Sequence, residues 1–258
     1  MKPLVKEEVA WYFRNMQKGA LVVHGLTGSP ANLQPITDKL KENGFIVQAP
    51  LLPGHTALQH LVKSKWSDWY GEVFRSFEEL SQKCDEVYFV GLSMGALLGL
   101  KLAGGVGPKL KALALLGVPF QVRPFYRFFM IPVIRYTPLR WIIRSVDKNF
   151  EKSVLDPIGR KMYFDNSLKR MPGMAAFQTQ NLARHLYKEA HKVTQPLLLI
   201  HGVKDHIADP IGLKKLENLV ASQKIEKILM GNSGHVVTMD YDREIVAERV
   251  VQFFDSCK

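Results

Sequence analysis

The chain has 258 residues, is 47 % hydrophobic, and carries a formal net charge of +11 from 35 Lys+Arg against 24 Asp+Glu. That length and apolar content suit one large α/β domain with a sizeable core. No run reaches the roughly 18 apolar residues of a membrane span. Residues 1–8 lack an apolar h-region, so no signal peptide is expected. Cys84 and Cys257 make no disulfide framework and sit in no metal-ligand spacing, so a cytoplasmic, reducing setting is the expectation.

In chain order, Trp11 to Phe13 reads as a short first strand, and Ala20 to His24 as a buried one by its continuous apolar run. Residues 31–43 read as a helix through Leu33, Ile36 and Leu40, closed by Asn43 and Gly44. Phe45 to Pro50 is the next strand, followed by a loop through Pro53, Gly54 and His55. A helix starts at Trp66 and runs to about Gln82, with Trp69, Val73, Phe77 and Leu80 on one face. Strands follow at Val87 to Val90 and Leu113 to Leu116. The alternation stops between Pro119 and Pro172 and resumes with a strand from Pro196 to His201 and a helix near 210–221. Ile225 to Met230 is the last strand and Glu244 to Phe254 the last helix. Strands alternating with helical patterns imply a mostly parallel sheet flanked by helices. Residues 119–172 then form an insertion, a helical cap or lid after the sixth strand, on a core made of residues 1–118 and 173–258.

The segment from Val87 to Ala96 concentrates the chemistry. Four β-prone apolar residues run into Gly91-Leu92-Ser93-Met94-Gly95, and a small-residue helix pattern follows. A strand, a tight turn and a helix lift a serine hydroxyl above a sheet edge, next to unpaired N–H groups that favour negative charge. Side chains at Gly91 or Gly95 would collide with neighbouring elements of so sharp a turn. A nucleotide-binding sheet could also open a helix this way, but a second Gly-rich phosphate pattern and a Walker lysine are both missing.

A serine hydroxyl needs a base, and the base an orienting acid. In an open parallel sheet these belong in loops just past the carboxyl ends of strands. Asp205 lies four residues past His201 and His235 five past Met230, in the chain order Ser, Asp, His. Ser93, Asp205 and His235 are therefore the expected catalytic residues. Asp209, ahead of Pro210, reads as a helix N-cap. His206 is too close to Asp205 to be oriented by it, and His201 reads as a core histidine. His60, His185 and His191 offer no acid partner in the sequence. Backbone N–H groups of Leu26 and Met94 are the expected oxyanion donors, the first from the turn through Gly25 and Gly28.

The segments His24 to Gly28, Gly91 to Gly95, Asp205-His206 and Ser233 to Asp242 resemble the α/β-hydrolase superfamily, and within it bacterial monoacylglycerol lipases and small carboxylesterases. The start of the Trp66 helix and the Pro53-Gly54-His55 loop are similar too. This resemblance implies an α/β-hydrolase fold and a serine hydrolase of carboxylic esters with short to medium acyl chains, above all monoacylglycerols. It implies the triad Ser93, Asp205 and His235, oxyanion amides at Leu26 and Met94, and no cofactor or metal. Leu26 stands where the family often has Phe, and Ala96 where it often has Gly. A thioesterase or acyltransferase would use the same triad, and a non-catalytic binding protein could use the same fold.

Within residues 119–172, eleven basic residues face four acids, beside ten aromatics. Arginine mixed with aromatics can serve nucleic acid, but stacking and groove motifs are lacking, so no nucleic acid partner is expected. The expected partner is a small, lipid-derived ester. Peripheral contact of the cap with anionic membrane is one expectation for the charge; solvated arginines over aromatics packed on the sheet are the plain alternative.

Overall fold

The computed structural model describes residues 17–124 and 145–257. The strand expected at Trp11 to Phe13 lies outside them, as do Phe125, Tyr126, Phe128, Phe129, Tyr136, Trp141 and four of the insert's arginines. The main sheet holds β1 (Lys18–Val23), β2 (Ile46–Gln48), β3 (Glu86–Leu92), β4 (Leu110–Leu116), then after the insert β7 (Leu197–Gly202) and β8 (Ile225–Met230). The spatial order is β2-β1-β3-β4-β7-β8 and every pairing is parallel. All six strands therefore end along one edge of the sheet, which is where their following loops meet.

Strand alternation divides the core in two. Leu21, Val23, Phe89, Leu113, Leu115 and Leu199 point to one face, against α3 (Trp66–Lys83), α4 (Met94–Ala103) and α7 (Gly173–Glu189). Ala20, Val22, Tyr88, Val90, Ala114 and Ile200 point to the other, against α1 (Gln34–Glu42) and α9 (Arg243–Asp255). The strands β3 and β7 are buried on both faces, which is why they read as unbroken apolar runs. α7 is absent from the sequence reading. Its inward face is built partly of Gly173, Ala175 and Ala183, so its apolar periodicity is weak. A short turn, α2 (Leu58–Leu61), and α8 (Ile211–Glu217) are the other α-helices described outside the insert.

Among the described residues four strands of the sheet precede the insertion, not the six expected, and two follow it, the strand expected at Trp11 to Phe13 lying outside the described residues. The insert's described part is an antiparallel pair, β5 (Ser145–Asp147) with β6 (Arg170–Pro172), enclosing α5 (Phe150–Ser153) and α6 (Pro157–Asp165). Some of its cations are consumed internally. Arg160 donates to the carbonyls of Val154 and Leu155, and Arg170 to that of Ser145. The insert is stitched to the sheet edge at both ends. Arg123 N–H donates to Ile207 O and Asp209 N–H to Gln121 O, while Leu168 N–H donates to Thr27 O. No helix among the described residues is long and apolar enough to cross a membrane.

Candidate active site

Ser93 follows β3 at once and precedes α4, with φ 54° and ψ −114°. That is a backbone conformation L-residues seldom adopt, at a cost of about 1–3 kcal/mol. The flanking glycines allow it. A Cβ at Gly91 would lie 2.6 Å from the carbonyl carbon and oxygen of Gly95, and one at Gly95 would lie 2.2 Å from Val23 O. The turn is therefore wedged between its own helix and the end of β1, as the sequence reading anticipates.

The loops after β7 and β8 bring two further side chains to this point. His235 Nε2 is 2.9 Å from Ser93 Oγ, and His235 Nδ1 is 2.7 Å from Asp205 Oδ2. Asp205 and His235 are almost wholly buried. The second carboxylate oxygen of Asp205 accepts the backbone N–H groups of Ile207 at 2.7 Å and Ala208 at 3.0 Å. Burial alone would raise the Asp205 pKa, but the neighbouring His235 and hydrogen bonding from histidine outweigh it and hold the carboxyl well below the usual carboxylate range. An ionised carboxylate only accepts, so the Nδ1 of His235 carries the proton and its Nε2 lone pair faces the serine hydroxyl. A proton can thus pass from Ser93 Oγ to His235 while the resulting cation sits beside a charge.

Several neighbours lie beyond the reach of sequence reasoning. His201, read as a core histidine, is indeed buried, yet its Nε2 lies 3.2 Å from Asp205 Oδ2, without hydrogen-bond alignment. The Arg123 guanidinium donates to Asp205 O at 2.8 and 3.2 Å, tying the start of the insert to the acid's loop. Asp240, wholly buried, accepts the N–H groups of Gly234, Leu155, Asp156 and Tyr241 at 2.8 to 3.0 Å. It fixes the peptide ahead of His235 and pins the insert to the same loop. A lone aspartate five residues past a histidine gives no sequence signal for this. Asp209 accepts from Ile211 N–H, as a cap should. His185, for which no acid was expected, has Glu189 at 2.9 Å, one helical turn on.

On the other side of Ser93, the loop after β1 is held by His24. Its Nδ1 meets Gly25 O at 2.8 Å, and its Nε2 accepts Leu52 N–H at 3.1 Å. Burial, then the neighbouring His55, pushes the His24 pKa down to about 3, and burial pushes that of His55 down to about 4. Both rings are neutral clamps. Thr27 has φ 64°, an outlier for a β-branched residue. Among the described residues, neither the Leu26 nor the Met94 N–H is engaged by another group of the chain. No three His, Cys, Asp or Glu side chains among the described residues come together as a metal site would need.

A cavity of about 390 Å³ opens beside Ser93 and His235, walled by Leu26, Val122, Val146, Tyr163 and Met171 among others. Residues of the insert thus stand directly across from the serine.

A parallel sheet, a strained serine between strand and helix, and an Asp-His relay in the loops after β7 and β8 define an α/β-hydrolase. The family model described as Serine aminopeptidase, S33 (Hydrolase_4) matches residues 15–242, and the chain belongs to that family of hydrolases. It is 26 % identical over 255 residues to the thermostable monoacylglycerol lipase of Bacillus sp. (strain H-257), covering 98 % of this chain and 96 % of that one. It is 24 % identical over 245 residues to a carboxylesterase of Bacillus subtilis (strain 168), covering 94 % of each. A solved structure from work on the metagenome-derived lipolytic enzymes LipS and LipT shares the fold, with a TM-score of 0.83 at 23 % identity, covering 93 % of this chain and 94 % of that one.

Proposed function

We propose that this protein hydrolyses carboxylic esters of short to medium acyl chains, monoacylglycerols foremost, through an acyl-enzyme. Ser93 attacks the ester carbonyl as His235 takes its proton. Asp205 holds the imidazole tautomer and stabilises its cation. The N–H groups of Leu26 and Met94 receive the oxyanion, and His235 then returns the proton to the leaving alcohol. Water attacks the acyl-enzyme by the same route in reverse. Donors of this kind contribute about 2.7–4 kcal/mol each to the barrier in comparable sites.

The observation that carries the reading is the continuous Ser93–His235–Asp205 relay, with links of 2.9 and 2.7 Å. An apolar cavity beside the nucleophile suits an acyl chain. The names of the two Bacillus relatives support an ester, lipid-derived in one case, as the substrate. Residues 119–172 act as a cap over this cavity, and the remainder as the catalytic core.

The family's name raises peptides with a free N-terminus as rivals. Binding an α-ammonium calls for a buried carboxylate facing the serine, and the acid among the cavity's described lining residues, Asp147, is instead largely exposed and paired with Arg170 at 3.2 Å. A panel of matched acyl esters, acyl thioesters and aminoacyl amides tests the choice. The ester series should give the highest kcat/KM, with loss of activity in Ser93→Ala. Faster thioester or amide turnover would overturn the substrate class.

A further inference from the structure

Two buried donors find no acceptor among the described residues: Asn32 Nδ2 and Lys148 Nζ. Both residues line the cavity that holds the serine. Asn32 is 1 % exposed, and its Oδ1 accepts the Ser29 backbone N–H at 2.9 Å and Ser167 Oγ at 3.3 Å. Since the Ser29 N–H can only donate, the oxygen must face it, and the NH₂ group is left over. Lys148 follows β5. Its ammonium lies 4.2 Å from the Tyr163 ring centroid and 4.7 Å from that of Phe150.

Tyr163 links the two donors. Its ring lies under the Lys148 ammonium, and its hydroxyl reaches Ser167, which in turn bonds Asn32. Asp147 lines the same cavity, but its exposed carboxylate pairs with Arg170 at 3.2 Å rather than with Lys148. Lys169 lies near enough to add positive charge, its ammonium over the Phe164 ring at 3.6 Å. Burial first, and Lys169 second, push the Lys148 pKa down to about 7, so these surroundings resist charging the amine. Orphaned buried donors are rare, and each calls for an acceptor from outside the chain. An oxyanion with two or more oxygens could satisfy both donors at once and restore the full charge on Lys148.

We propose that Asn32 and Lys148 form a subsite for an anionic oxyacid group, a carboxylate or a phosphate, carried by the ester substrate away from its scissile bond. This subsite rests on ester hydrolysis at Ser93 and narrows its substrate class from neutral acylglycerols to esters whose acyl or alcohol part bears an anion.

Two matched pairs test it. One is p-nitrophenyl valerate against the p-nitrophenyl monoester of glutaric acid. The other is monolauroylglycerol against its phosphate. In at least one pair the anionic member should have a kcat/KM about tenfold to a hundredfold higher, mainly through KM, as expected for charge-assisted hydrogen bonds. The pair that shows it tells an acyl-side carboxylate from an alcohol-side phosphate. Lys148→Met should bring the ratio close to one, while Lys148→Arg keeps most of it. Asn32→Asp retains the acceptor for Ser29 and Ser167 but puts an oxygen in place of Nδ2, and should also lower the ratio. The subsite is overturned if neutral members are preferred in both pairs, or if the ratio survives both Lys148→Met and Asn32→Asp. Absence of hydrolysis on all four esters by folded protein would instead contradict the ester reading of Ser93.

Discussion

At the scale of single residues, the site depends on backbone that cannot relax. Ser93 keeps φ 54° because Gly91 and Gly95 let the helix and β1 close in around it. Gly95→Val should be poorly folded or inactive, since its branched Cβ would overlap Val23 O; soluble yield and thermal melting check this. Asp205→Asn leaves the shape but loses the acceptor that sets the His235 tautomer, so kcat should fall about 10⁴-fold with little change in KM. The three principal residues were legible in the sequence because each follows a strand, and a parallel sheet puts strand ends on one edge. Asn32, His201 and Asp240 were not legible. Their roles come from what packs beside them, and single polar residues carry no period or spacing to announce that.

At the scale of elements, Asp240 clamps three of them. Its carboxylate joins the start of α6, the peptide before His235 and the turn into α9. Asp240→Ala strands several buried N–H groups and should destabilise the fold by about 2–4 kcal/mol, read by urea unfolding. Its activity should fall further than stability alone accounts for, because Gly234 is freed next to His235, the proposed general base. The strands were readable from apolar runs, and β8 was bounded correctly at Ile225 and Met230. The insert was not, because its short helices and three-residue strands fall below the length at which periodicity can be read. Its attachment to the loops of Thr27, Asp205 and His235 is tertiary throughout.

At the scale of the whole molecule, acid acts through buried histidines. His24 and His55 have folded pKa values of about 3 and about 4, against an ordinary 6.5. Between those values and 6.5 the unfolded chain binds more protons than the folded one, so stability rises with pH up to about 6.5 and is level for these groups above it. From pH 6.5 down to 4.5 each histidine should remove at most about 1.4 kcal/mol per pH unit, steepest in the middle of that window. Thermal melts across that window should show the loss, and His55→Gln should shrink it; an unchanged slope would contradict the neutral-clamp role.

The most direct measurement is covalent labelling of the folded protein with a fluorophosphonate, followed by intact mass and peptide mapping. The relay geometry predicts one adduct per chain, on Ser93, absent in Ser93→Ala and strongly slowed in His235→Ala. A folded protein that takes no label, or takes it on another residue while Ser93→Ala still cleaves esters, would contradict Ser93 as the nucleophile.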